Sequence, residues 1–444
     1  MTDTTVLPHR GRWAGLVALL LAESMNVLDT TVVQVAAPTV RAELGASDAT
    51  LPWLTAAYTL PFAVLLVSGG RLGDAWGRRR LFVGGVVGFA LASAACACAP
   101  SVALLLAARA VQGVAAAAIV PQTFGLIRAM FDGRELPRAL GWIGPVMGLT
   151  AVFGPPLGGL LTAADVAGLS WRAVFLVNLP LAAVVLALTR RLREDRAGTR
   201  PGFDLPGTLV AVLALGLLTY PLIDGTATTR PMLLVGAAAL GGLVLVQRAA
   251  ARAGRPTLVE VALFRRLAFP CALLTSTTFF AAVNGTVFVV VLHLQLHAGA
   301  DAGTAGLALL PWSVGSAVAS LVSGRVLVAR FGPRTMLAGL AVLVAGLATA
   351  SGLSVVALAL GGIGMGLFTV PFFTAALGQV APQETGSAAG LLNAVQQFGT
   401  TFGVALLGGL YLADGSLGRA LVAALVLTAA AAGTALVLVR SRRS

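Results

Sequence analysis

Glu23, Asn26 and Asp29 follow one another at i, i+3 and i+6, and Thr30 stands four residues beyond Asn26. On a helix this spacing gathers them into one polar stripe. The surrounding stretch, roughly 13–35, is otherwise apolar and of membrane-crossing length. An acid there costs about 2.5–3.5 kcal/mol or more unless it is paired or protonated, so it is a functional candidate by default. Such a carboxyl can load and release a proton. The competing reading is a structural partner for a helix end or a basic residue. Farther along, Arg109-Ala110-Val111-Gln112-Gly113 puts a guanidinium in a second apolar run. Arg stays ionised even when buried. It can therefore make the protonation of a nearby carboxylate depend on conformation, or simply form a static buried pair. Which acid it meets is left open at this level.

Two Gly-rich stretches have a different character. Gly70-Arg71-Leu72-Gly73-Asp74-Ala75-Trp76-Gly77-Arg78-Arg79-Arg80 is a charged turn between two long apolar runs. Gly permits close backbone approach, while Asp74 and the Arg cluster can pair or cap helix ends. The plainer reading is a basic loop that only orients the chain in a membrane. Gly148-Leu149-Thr150-Ala151-Val152-Phe153-Gly154-Pro155-Pro156-Leu157-Gly158-Gly159 lies inside an apolar run. Small residues there allow two helices to touch, and Pro bends the helix or frees carbonyls. Asn284, Trp312, Asn393, Gln396 and Gln397 also fall inside apolar runs, where they either line a cavity or tie helices together. His293 and His297 fall at the outer end of one run, where an exposed, passive role is the plainer reading. Cys96, Cys98 and Cys271 lack metal or disulfide spacing and read as packing residues.

The elements that position these residues are membrane helices. Of 444 residues 58% are hydrophobic and 11% charged, against about 25% charged in a soluble protein, and mean hydropathy is +0.92. Apolar stretches predict about fourteen spans, near 13–35, 52–70, 81–99, 102–126, 139–162, 172–189, 205–223, 231–247, 268–293, 303–324, 335–351, 354–378, 386–411 and 418–439. All 30 basic residues are Arg, and 25 of them fall in alternate loops, from His9-Arg10-Gly11-Arg12 to the tail Arg440 to Arg443. Only Arg41, Arg172, Arg230 and Arg419 occupy the intervening loops. This asymmetry predicts both termini inside, and it accounts for the net charge of +13 without nucleic acid. The first span lacks a small-residue cleavage site and is not a cleavable signal. Three blocks emerge: six spans in 1–189, two in 190–267 and six in 268–444. Gly324 to Arg334 echoes the turn at 70–80 with a one-residue offset and lacks the acid found at Asp74. Such internal symmetry suits a duplicated transporter.

The turn at 70–80 resembles the signature loop between spans two and three of the major facilitator superfamily. Phe203-Asp204-Leu205-Pro206-Gly207 and the stretch Pro256 to Arg266 frame two extra helices, resembling the fourteen-span drug:proton antiporter branch. Leu28 to Pro38 is similar to that branch's first-helix motif, with Gln34 where the pattern usually has Asn. Arg109 to Gly113 resembles the superfamily's buried-Arg motif, associated there with proton transfer, and Gly148 to Gly159 the motif of exporters. Trp171 to Pro180 also matches and reads as an interfacial anchor.

The resemblance implies an all-α polytopic fold of two six-helix bundles plus the two-helix insert. It implies a proton-coupled antiporter exporting drugs, antibiotics or other amphiphilic compounds across a bacterial cytoplasmic membrane. Asp29, Glu23 and Arg109 would couple protons. Gly70, Arg71, Gly73, Asp74, Gly77, Arg78 and Arg79 would form a cytoplasmic latch. Gly148, Gly154, Pro155, Gly158 and Gly159 would carry the antiporter motif. Asn26, Gln112, Asn284, Trp312, Asn393 and Gln396 would line the substrate cavity. The expected partners are the bilayer, protons and a small organic substrate, with the chain working as a monomer on the proton gradient, without cofactor or metal. An uptake symporter on the same fold is the alternative. An enzyme is disfavoured by three scattered His, at 9, 293 and 297, and a sensor by the lack of a soluble signalling block. No phosphate-binding loop points to ATP hydrolysis.

Overall fold

A computed structural model describes residues 11–133, 135–194, 202, 204–226, 228–265, 267–378, 380 and 385–440. Of the loop residues named above, His9, Arg10, Phe203, Arg266, Arg442 and Arg443 lie outside the described residues. Among the described residues the chain is helical, without a strand. Hydrocarbon offers the backbone no hydrogen bonds, so long apolar runs close their own as helices.

Among the described residues twelve helices are long and apolar enough to cross a membrane. The first four are α1 (Arg12–Glu43), α2 (Thr50–Trp76), α3 (Arg78–Ala97) and α4 (Val102–Met130). The fifth joins α5 (Glu135–Leu140) to α6 (Ile143–Ala163), and the sixth joins α7 (Ala173–Leu176) to α8 (Asn178–Leu188). Next come α9 (Leu205–Asp224) and α10 (Pro231–Arg252), then α11 (Ala268–Leu292), which ends in a π-helical turn, His293–His297. The tenth runs through α12 (Ala302–Ala308), α13 (Leu310–Val322) and α14 (Val328–Phe331). After α15 (Arg334–Thr349) the chain turns at Leu353, with φ 46°, into α16 (Val355–Leu377). Finally α17 (Thr385–Asp414) leads to α18 (Leu417–Arg440). Twelve is fewer than the fourteen spans expected. The two remaining helices occupy the other expected places. These are α15, whose 16 residues fall short of the roughly 20 that span hydrocarbon, and the 30-residue α17.

Within the first helices α2 and α3 pack on α4, and α1 on α6 and α8; among the last, α11 packs on α17 and α18, and α16 on α13 and α15. The largest contacts between these groups are α2 with α17 and α6 with α12 and α13, with smaller ones from α1 to α11 and α12. Between lipid-immersed helices no hydrophobic drive exists, so small residues and close approach supply the attraction. Helix α9 covers the α2–α17 contact: Tyr220 meets Trp53 at 6.1 Å, Ser68 and Thr208 share a 3.3 Å hydrogen bond, and Gly409 lies against the Leu222 carbonyl. Behind it α10 rests on α9 and buries only Gly236 and Gln247.

Candidate functional site: a buried ion pair, a charged latch and a one-ended cleft

Arg109 and Gln112 lie three residues apart on α4 and so share the face that meets α1. Arg109 forms an ion pair with Asp29, and both side chains are fully buried. The acid that sequence left unassigned is thus Asp29. Gln112 donates to Asp29 Oδ1 at 2.8 Å and to Ser93 Oγ at 2.9 Å, and its Oε1 accepts from Arg109 at 2.8 Å. Asn178 at the start of α8 donates to the same Asp29 oxygen at 2.9 Å. Arg109 Nε donates to the Leu54 carbonyl at 3.1 Å, and the Tyr58 ring lies 4.4 Å from the guanidinium carbon. The carboxylate therefore has three donors, which offsets much of the cost of removing two charges from water. Arg109 Nη2 and Asn178 Oδ1 have no partner, so the cluster is not saturated.

Sequence reasoning missed Ser93, Tyr58 and Asn178. Asn178 had a signal, a polar amide within an apolar run, but was absorbed into the anchor motif that begins at Trp171. That Trp is enclosed by protein, with its indole N–H donating to Glu43 at 2.8 Å, rather than exposed to lipid. On α1, Asn26 accepts from the Tyr58 hydroxyl, and Thr30 bonds back to its own helix. Glu23 is 8% exposed and faces Thr123, yet neither its Oε1 nor the Thr123 hydroxyl completes a hydrogen bond.

The charged turn is held by packing that only Gly allows. Gly77 has φ 104°, the left-handed region, and ends α2 abruptly before α3. A Cβ on Gly73 would collide with Gln122 of α4, whose amide donates to the Gly69 carbonyl at 2.8 Å. Asp74 pairs with Arg78 at 2.7 Å, and Arg78 lies across Gly125. Arg79 donates to the Thr189 carbonyl at 3.2 Å and, through its backbone N–H, to Glu194 at 3.1 Å. Arg71 reaches the Thr257 carbonyl, on the connection between α10 and α11. Nearby, Asp204 caps α9 through Gly207 N–H at 2.9 Å and accepts from Gln247 at 2.6 Å and Leu258 N–H at 2.9 Å. Burial pushes the Asp204 carboxyl up, but these donors and the Arg71 charge outweigh it and hold the group below the usual carboxylate range.

The other Gly-rich motif forms the seam of α6. Gly154 lies against Thr31 and Gly158 against Val32 of α1; a Cβ on Gly158 would stand 2.6 Å from the Val32 Cα. Gly159 meets the Ala302 carbonyl on α12, and Gly306 meets the Pro155 carbonyl, backbone to backbone. Gly148 has open space around it. With Gln295 donating to the Val35 carbonyl at 2.8 Å, the end of the molecule away from the charged turn is shut. At the turn's own end a cleft of about 640 Å³ opens, lined by Gly70, Arg71, Asp74 and Arg78, by Phe124 and Arg128 of α4, and by Asn393 of α17. Asn284 bonds back to Phe280 at 3.0 Å, Trp312 packs on Gly361 and Gly362, and neither these nor Gln396 lines this cleft.

Two groups of membrane helices, sealed at one end and parted at the other, define a membrane transporter rather than an enzyme. The chain belongs to the Major Facilitator Superfamily, whose sequence pattern matches residues 19–247 and 272–444. It is 43% identical over 422 residues to the "Probable actinorhodin transporter" of Streptomyces coelicolor, covering 91% of this chain and 73% of that one. It is 36% identical to multidrug resistance protein Stp of Mycobacterium tuberculosis, covering 90% and 76%. A bacterial homologue of the human lysosomal transporter Spinster, in an inward-facing and unoccupied conformation, shares the fold with a TM-score of 0.63. That pair is 19% identical and aligns over 96% of this chain and 95% of the other. The protein is thus a multi-pass bacterial membrane protein.

Proposed function

We propose that this chain is a proton-coupled antiporter that exports antibiotics, other drugs or amphiphilic compounds across the cytoplasmic membrane. The observation that carries the coupling is the Asp29–Arg109 pair, fully buried and held by Gln112 and Asn178. Protonation of Asp29 would remove the charge that holds Arg109, Gln112 and Asn178 together, and ionisation would reassemble them. A proton thereby biases how α1 meets α4. Glu23, without a partner for Oε1, is the second proton-carrying candidate. Export is supported by the names of the relatives and by the α6 seam. Asp74, Arg71, Arg78 and Arg79 would close the cytoplasmic side as a latch when the opposite end opens.

In this reading α15 and α17 complete fourteen spans, both termini lie inside, and 1–189 and 268–444 rock as bundles beside the 190–267 insert. The chain works as a monomer, powered by the proton gradient without a cofactor. Inverted vesicles carrying a pH-sensitive dye provide the test. A panel of antibiotics and lipophilic cations should include a compound that dissipates an imposed pH gradient only when the wild-type protein is present. The same compound should have no effect with Asp29→Asn protein inserted at equal level. Proton movement that survives Asp29→Asn would sink the coupling assignment.

A further inference from the structure

The charges that line the latch-side cleft are unequally committed. Asp74 is neutralised by Arg78 at 2.7 Å, and Arg71 is bound to the Thr257 carbonyl while facing Asp204 and Glu260, the other acid on the lining. Arg128 also lines the cleft, is exposed, and has no ion pair or hydrogen bond among the described residues. One turn before it on the same face of α4, Phe124 is 43% exposed into the same space. The membrane-embedded acids are not available to a substrate here. Asp29 is sealed behind Arg109, and Glu23 does not line the cleft. The cleft thus offers a free guanidinium beside an open aromatic face, with Asn393 of α17 also on its lining. A basic residue placed only for topology needs no exposed ring one turn away.

We propose that the cleft selects amphiphilic aromatic anions, with Arg128 holding a carboxylate, sulfonate or phenolate and Phe124 taking the ring. The inference rests on the export reading and names the substrate class of that same site. A guanidinium offers two parallel donors to a carboxylate or to two sulfonate oxygens, a single charge-assisted hydrogen bond to a phenolate, and repels a cation. The volume of about 640 Å³ suits one drug-sized molecule.

A pair of dyes on one xanthene scaffold separates charge from shape: carboxyfluorescein, an anion, and rhodamine 123, a cation. Binding to the purified full-length protein is read by fluorescence anisotropy without any gradient. Carboxyfluorescein is expected to bind about tenfold tighter than rhodamine 123. Arg128→Gln should abolish that preference while rhodamine 123 binding persists, which also reports a folded protein. Arg128→Lys should keep a reduced preference, and Phe124→Leu should weaken both dyes. Equal or tighter binding of rhodamine 123 would overturn the proposal. So would a preference that survives Arg128→Gln, or an absence of saturable carboxyfluorescein binding. Because binding here needs no proton movement, a failure of coupling in vesicles leaves this result standing, and the reverse is also true.

Discussion

Asp29 and Arg109 offset one another together and harm the protein apart. Removing one partner of a buried pair leaves an uncompensated charge, at a cost of about 3–5 kcal/mol, whereas removing both is often nearly neutral. Asp29→Asn and Arg109→Gln should therefore each lower the melting temperature in detergent more than the double variant does. A double variant less stable than both singles would contradict the pairing. These two residues were legible in sequence because a charge in an apolar run is expensive and so stands out. Their partnership was not, since it depends on where α1 and α4 cross. Ser93 and Asn178 were harder still: a lone hydroxyl or amide inside a span costs too little to be conspicuous.

Among the elements, the two-helix insert is tied to itself through Asp204. Asp204 caps α9 and binds the chain leading out of α10, so Asp204→Ala removes a cap worth about 0.5–2 kcal/mol and two further hydrogen bonds. Its folded-state carboxyl is held below the ordinary range, so the stabilisation is complete above the unfolded value of about 3.9 and is lost as pH falls through the depressed folded value. The wild type should thus melt higher than Asp204→Ala at pH 7, and the gap in melting temperature should shrink below about pH 4. A gap independent of pH would contradict the ionised cap. The α6 seam makes the opposite kind of prediction. Gly159→Val drives a side chain into the Ala302 carbonyl, an overpacking worth about 1–3 kcal/mol against the shut end. That corresponds to a roughly 5- to 150-fold shift toward opening there. Val35, fully buried at that end, should then become reactive as Val35→Cys toward an impermeant maleimide, with the three native cysteines replaced. The Gly-Pro run was visible in the sequence as a place where helices touch; which partner it touches was not, because α12 lies more than a hundred residues away.

For the whole molecule, the sequence carried the helical class and most of the spans, since hydrocarbon thickness dictates both. It did not carry the placement of α9 over the α2–α17 contact, because a helix apolar on every side bears no mark of which face is covered. Nor did it carry the conformation, shut at one end and open at the other. That asymmetry predicts that Asn393→Cys is labelled from the latch side while Val35→Cys in the wild-type seam is not; equal labelling of both would contradict it. The seam residues themselves are Pro155, Gly159, Ala302, Gly303 and Gly306. None of these side chains has rotamers to lose. This backbone-to-backbone part of the joint therefore freezes no side-chain entropy on closing, and Gln295, bonded to the Val35 carbonyl beside it, is the side chain that does. Such a joint adds little entropic ballast to either state, so a small difference in the affinity of a proton or a ligand for the two conformations is enough to tip it.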